Sequence, residues 1–138
     1  MPLLVGALLA GLWGGPAVAT LETPPLGRRT SFVHEAAVDL PASPLRVQLS
    51  LSYYNRRGHG SCRVLVTDAT GAGVFSGDTQ FSENETGSTQ GRWLYVGSFR
   101  PAVAARYGVR WSCQTSPEIE LTRAELNLKD NLLGRLLP

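Results

Sequence analysis

Leu45, Val47, Leu49, Leu51 and Tyr53 alternate with Arg46, Gln48, Ser50 and Ser52. Successive side chains of an extended chain point to opposite faces, so this run predicts a strand with one buried and one wetted face. The same period recurs in Tyr107, Val109, Trp111 and Cys113, set against Arg106, Gly108, Arg110, Ser112 and Gln114. It recurs in Cys62, Val64 and Val66, and in Phe32, His34, Ala36, Val38 and Leu40. Arg92 to Phe99 is strand-like with apolar residues on both faces, Trp93, Tyr95 and Phe99 on one and Leu94 and Val96 on the other. Ile119 and Leu121 alternate, and then Ala124, Leu126 and Leu128 alternate in the opposite phase. Such a phase slip predicts a bulge or bend near Thr122-Arg123.

Turn chemistry separates the runs. Pro41-Ala42-Ser43-Pro44 closes one, and Asn55 to Gly60 parts two others. In Asp68-Ala69-Thr70-Gly71 the aspartate caps local backbone and the glycine accepts positive φ. Ser82 to Gly91 reads as a long polar loop without period. Seven or eight short strands at this spacing predict an all-β fold, an antiparallel β-sandwich. The domain is expected over 31–130, after an N-terminal linker at 20–30. Residues 131–138 form a tail with room for a short helical turn.

Residues 1–19 carry no side-chain charge and end in Ala17-Val18-Ala19, the small-x-small pattern of a signal-peptidase site. Leu3 to Trp13 has the length of a signal core and is short for a membrane span. A basic residue at the start, usual in such leaders, is missing, and an uncleaved anchor is the rival reading. Export predicts a secreted or periplasmic protein with no membrane segment after cleavage. It also turns Cys62 and Cys113, the only cysteines, into an expected disulfide. Each lies on the apolar side of its strand. A bridge closing such a loop contributes about 4 kcal/mol on chain-entropy grounds.

The net charge is +2, from 13 cations and 11 acids spread along the chain. Arg29, Arg56, Arg57 and Arg63 are too sparse for a nucleic-acid groove, so no nucleic-acid partner is expected. Catalysis finds little support. His59 sits between glycines in a turn, His34 lies within a strand, and no Gly-x-Ser-x-Gly elbow is present. The protein is therefore expected not to be an enzyme and to need no cofactor. Asp78, Glu83, Asn84 and Glu85 offer oxygen ligands of the kind calcium takes, yet their spacing matches no EF-hand loop. A solvated acidic loop is the commoner outcome, and no metal is expected. Asn84-Glu85-Thr86 is a formal glycosylation sequon.

Aromatic residues carry the remaining chemistry. Sugar rings present C–H faces that stack on flat aromatic rings. Tyr53 and Tyr54 are adjacent, so if Tyr53 faces the core, Tyr54 faces solvent beside Asn55, Arg56 and Arg57. These four are the candidate ligand-binding residues. Trp93 and Trp111 are expected inside the sandwich.

The succession Val64-x-Val66-x-Asp68-x-x-Gly71-x-x-Val74, Gly91-Arg92-Trp93-x-x-Val96-x-x-Phe99, Tyr107-x-Val109-x-Trp111, Ile119-x-Leu121 and Leu126-x-Leu128 resembles the galactose-binding-like jelly rolls. That β-sandwich group includes many carbohydrate-binding modules. The resemblance covers about residues 45 to 128. It implies a non-catalytic module that binds an exposed partner, a glycan first of all. It carries over no binding residue, because such families place ligand contacts on variable loops. The alternative is a protein–protein or envelope-structural module. It would act through a sheet edge or through the apolar set Leu132, Leu133, Leu136 and Leu137.

Overall fold

A computed structural model describes residues 17–55, 57–84 and 87–131. Residues 1–16, Arg56, Glu85, Thr86 and the four C-terminal leucines lie outside the described residues. Eight strands run β1 (Ala17–Glu22), β2 (Ser31–Leu40), β3 (Leu45–Asn55), β4 (Gly58–Thr67), β5 (Gly73–Glu83), β6 (Gly87–Phe99), β7 (Ala105–Thr115) and β8 (Ile119–Asp130). They form two four-stranded antiparallel sheets, a first of order β1-β8-β3-β6 and a second of order β2-β7-β4-β5. Strands adjacent in sequence fall in opposite sheets except β4 and β5, which gives the jelly-roll form of the sandwich.

The alternation seen in the sequence fills the space between the sheets. Leu45, Val47, Leu49, Leu51 and Tyr53 of β3 are fully buried. They meet Val64 and Val66 of β4, Tyr107, Val109 and Trp111 of β7, and Ile119, Leu121, Ala124, Leu126 and Leu128 of β8 in one core. The phase slip in β8 is a bulge at Thr122. Ser52 lies opposite Arg123 while Tyr53 lies opposite Leu121. The extra residue turns Leu121 and Ala124 to the same side. Trp111 is enclosed, with the edges of Phe32 and His34 against it at 5.3 and 5.8 Å.

Four parts of the chain take a conformation that side-chain period does not show. Residues 20–30, read as a linker, run along β8. Beyond β1, the amides of Thr23, Leu26 and Arg29 donate to the carbonyls of Ala124, Thr122 and Leu121. Thr23 and Leu26 are buried. Backbone pairing needs no side-chain period, so a segment rich in proline and glycine hid it. Ala17-Val18-Ala19 lies within β1. Ser82 to Gly91 is mostly strand, because β5 continues to Glu83 and β6 starts at Gly87. His59 lies in β4 rather than in a turn.

The turn after β4 follows its chemistry. The Asp68 carboxylate accepts from the amides of Thr70 and Ala72 at 2.9 and 3.1 Å and from the Thr70 hydroxyl at 2.6 Å. These bonds, the Thr70 hydroxyl's first, hold its carboxyl below the usual range. Gly71 takes φ 87°. Gly77 serves a different need. A Cβ there would come within 2.8 Å of both Phe75 and Val96, so its absence lets β5 close against β6.

Cys62 and Cys113 are bonded and lie directly opposite each other on neighbouring strands β4 and β7. The bridge ties one sheet internally rather than joining the two. Replacing both with serine should lower unfolding free energy by up to about 4 kcal/mol, the chain-entropy value for a loop of this length. Urea denaturation of the double variant against the oxidised protein checks this. Equal midpoints would show that the sheet pairing alone holds these strands.

Candidate functional site

Because the odd-numbered residues of β3 face the core, Arg46, Gln48, Ser50, Ser52 and Tyr54 face outward on the first sheet. The β8 neighbours of the first four are Lys129, Asn127, Glu125 and Arg123. On the other side, Tyr95 lies opposite Gln48 and Trp93 opposite Ser50. Leu94, between them, is buried. Trp93 is therefore turned outward, 64 % exposed, and Tyr95 is 54 % exposed. This corrects the expectation that Trp93 sits inside the sandwich, while Trp111 does.

The cause is a second bulge. Val47 pairs with Gly97 but Gln48 pairs with Tyr95, which leaves Val96 as an extra residue. Phe99 consequently turns inward, away from the side that Trp93 and Tyr95 share. It stacks on Phe75 at 5.0 Å. A single unbroken alternation cannot put Trp93 and Phe99 on opposite faces, since they are an even number of residues apart.

Of the four candidate binding residues, Tyr54 lies on this same outer face, 39 % exposed, with Tyr53 buried as expected. The Arg28 guanidinium lies 4.6 Å from the Tyr54 ring centre and pairs with Glu120 at 3.0 Å. The backbone of Asn55 ends β3 opposite Ile119 and Gly87. Arg57 is exposed just before β4, and Arg56 lies outside the described residues. Four residues of strand separate Tyr54 from Ser50, the partner of Trp93, or about 13 Å. The three rings thus form a line along the face, with Trp93 and Tyr95 as its dense part.

Cations lean over those two rings as well. Lys129 Nζ is 5.3 Å from the Trp93 ring centre, and the Arg46 guanidinium is 5.3 Å from that of Tyr95. Gln48, Ser50 and Glu125 lie beside them, while Asn127 is buried beneath the face. Asn127 donates to Glu125 at 3.0 Å and accepts from Thr20 at 3.0 Å. The sequence signal for this face was the pair Trp93 and Tyr95 two residues apart, but apolar residues on both sides of β6 left its direction open.

Behind Trp93, one polar cluster anchors β6. Arg92 donates to the Glu83 carboxylate and to the Ser82 carbonyl, each at 2.9 Å. The Tyr53 hydroxyl donates to the same Glu83 carboxylate. Burial, and then the hydrogen bond to Glu83, push the Tyr53 phenol up to about 12. The Glu83 bond likewise raises the Arg92 guanidinium above its ordinary value. Glu83 is thereby committed to the fold. Asp78, an odd number of residues away on β5, faces the opposite side and pairs with Arg63 at 2.8 Å. Of the residues named as a calcium possibility, Asp78 and Glu83 therefore do not converge, and Glu85 lies outside the described residues. Asn84 of the sequon is exposed between β5 and β6.

The outer face of the second sheet has a different character. It carries three cross-strand ion pairs, Arg63–Asp78, Arg106–Asp39 at 3.7 Å and Arg110–Glu35 at 3.5 Å. Depressions of about 530 and 450 Å³ lie there, lined largely by serine, threonine and glutamine such as Ser61, Gln80 and Gln114. Neither offers an exposed aromatic ring. Flat stacking is available on the first sheet.

No family model matches this chain, and no curated protein does. Solved structures share its architecture. A structure of the T13 viral particle of infectious bursal disease virus aligns over 81 % of this chain with a TM-score of 0.55 and 8 % identity. A VP2 subviral particle of that virus aligns over 84 % with a TM-score of 0.49 and 8 % identity. This chain spans 31 % of each viral chain. TmCBM61 in complex with β-1,4-galactotriose aligns over 75 % of this chain and 63 % of its own, with a TM-score of 0.33 and 15 % identity. At 8 % identity the likeness to the T13 particle is one of fold alone. The molecule is a jelly-roll β-sandwich with an aromatic outer face.

The buried phenol gives a pH test. Its folded value of about 12 lies above the ordinary 10, so its stabilising effect is complete below pH 10 and lost as pH rises toward 12. Tyr53→Phe should cost about 1–2 kcal/mol near neutrality, a hydrogen bond to a charged partner. The variant should also lack that part of the alkaline loss. Urea midpoints at neutral and alkaline pH measure both; parallel curves for the two proteins would count against this assignment.

Proposed function

We propose that this chain is a secreted, non-catalytic binding module that holds a glycan on the outer face of its first sheet. The observation that carries this is the outward pair Trp93 and Tyr95, both more than half exposed on one strand. Large exposed aromatic groups on a folded surface mark places where a partner covers them. Two rings on one strand side present a platform on which sugar C–H faces stack. Gln48, Ser50 and Glu125, in register beside them, supply donors and acceptors for hydroxyl groups. Tyr54 extends the line for a longer chain.

The compartment supports the same reading. The Cys62–Cys113 disulfide persists where thiols are oxidised, outside the cytosol. Extracellular polysaccharides are found there too. The candidate histidines add nothing to a catalytic reading. His34 lies edge-on against Trp111, and the His59 backbone bonds Ser116 in the β4–β7 region.

Trp93→Ala should weaken retention in polysaccharide-containing native gels by about tenfold, and Tyr95→Ala by a comparable factor, as aromatic stacking of 0.5–1.5 kcal/mol allows. Both variants should melt within a degree or two of the parent, because exposed positions tolerate change. A parent protein that binds no member of a broad glycan array would overturn the proposal. Full retention of binding in Trp93→Ala would remove this face as the site.

A further inference from the structure

We infer that the second sheet carries a separate site for a short neutral saccharide, in the hollow between Gln80 and Gln114. The outer face of this sheet is divided by charge. The ion pairs Arg63–Asp78, Arg110–Glu35 and Arg106–Asp39 occupy the part from the Arg63 row to the Asp39 end. Toward the other end, the register sets Ser31, Gln114, Ser61 and Gln80 in one row across all four strands. The neighbouring row places His59 opposite Ser82. These six residues are all exposed, and none is an acid, a lysine or an arginine. A soluble surface ordinarily carries about 25–35 % charged residues, so this part departs from a merely solvated face.

The hollow of about 530 Å³ opens over this uncharged part, and Ser61, Gln80, Ser82, Gln114, Ser116 and His59 line it. Its volume lies within the usual span of small-ligand sites, about 300–1,000 Å³. Such sites are mostly apolar. This one is walled by hydroxyls and amides, which suits a ligand covered with hydroxyl groups. Among the described residues His59 is its only titratable group, so it holds no fixed charge for an ion. Ser61 stands between the two glutamines, opposite both. Neighbouring strands are about 4.8 Å apart, so the glutamines rise from positions about 10 Å apart. Two hydrogen bonds of about 2.9 Å then leave about 4 Å between the oxygens they hold, a separation that two hydroxyls on one pyranose ring span. Each amide head both donates and accepts, as sugar hydroxyls do. The base is rigid. The Cys62–Cys113 bridge lies one position from Ser61 and Gln114. The His59 amide donates to Ser116 Oγ at 3.1 Å, and the Ser116 amide donates to the His59 carbonyl at 2.9 Å. This site lies on the opposite side of the sandwich from Trp93 and Tyr95 and does not require the aromatic face to bind a glycan.

The test uses the full oxidised protein, labelled with heavy nitrogen for NMR, and three probes: lactose, cellobiose and glycerol. The side-chain amides of Gln80 and Gln114 report this site, and the Trp93 indole reports the aromatic face. At least one disaccharide should shift both amides in a saturable way, with Kd about 1–10 mM, the range a few hydrogen bonds allow. Glycerol, which has hydroxyls but no ring, should shift neither. Trp93→Ala should leave the response at the two amides unchanged. Gln80→Ala and Gln114→Ala should each weaken the disaccharide about fivefold, the loss of about one net hydrogen bond, and leave melting unchanged because both positions are exposed. Shifts at the two amides with none at Trp93 would support this site and count against the aromatic face. Shifts at the Trp93 indole alone would overturn this inference and leave the aromatic-face reading standing. An equal response to glycerol, or undiminished binding in both glutamine variants, would overturn the inference alone. No response at either place, with no binding on a broad glycan array, would overturn both readings.

Discussion

The buried side of β3 governs the rest of the molecule. Five of its side chains are wholly enclosed, and the strand is hydrogen-bonded on both edges, to β6 and to β8. A one-residue slip would move all five to solvent, so the register is strongly specified. Once it is, every outward neighbour is determined in turn. Gln48 and Ser50 select Tyr95 and Trp93 on one side and Asn127 and Glu125 on the other. The candidate site is thus a consequence of core packing. No loop closure is needed to assemble it.

Strands with one wet and one dry face were legible from period two alone. That holds for β3, β7 and β8, including the slip at Thr122, where the bulge lies. Tyr54 was legible for the same reason, since its neighbour Tyr53 carries the alternation. The disulfide was legible because only two cysteines exist, each on an apolar side; that they would sit opposite each other in one sheet was not. Two features resisted reading. The path of residues 23–29 along β8 rests on amide-to-carbonyl bonds, which leave no side-chain signature. The direction of Trp93 depends on an unpaired residue, Val96, on an edge strand with apolar groups on both sides. Short-range pattern cannot say which side wins there. The fit of Leu94 against the core decides it.

The two outer faces of the sandwich present different groups to their surroundings. On the second sheet each of Arg63, Arg106 and Arg110 meets an acid across the strand boundary. Exposed pairs of this kind contribute little to stability. They do neutralise the face and put charge on the edge strands β2 and β5, which discourages pairing with another chain. The first sheet carries the pairs Arg123–Glu22 and Arg28–Glu120 as well, and adds the exposed rings that the described residues of the second lack. Its cations at 46 and 129 face each other across the strands. The contrast is one of arrangement, because both faces draw on the same residue types.

Placing the rings on a strand also reduces the entropic cost of binding. Tryptophan and tyrosine rotate about two side-chain bonds, and their backbone here is held by β3 and by the Arg92–Glu83–Tyr53 cluster. Little freedom is left to lose when a ligand arrives, which is the general advantage of a preorganised surface. A flat aromatic surface held on a strand would favour extended ligands over compact ones that need enclosure. The hollows of the opposite sheet have polar walls and no exposed ring, so the two sides of this small sandwich present different chemistry.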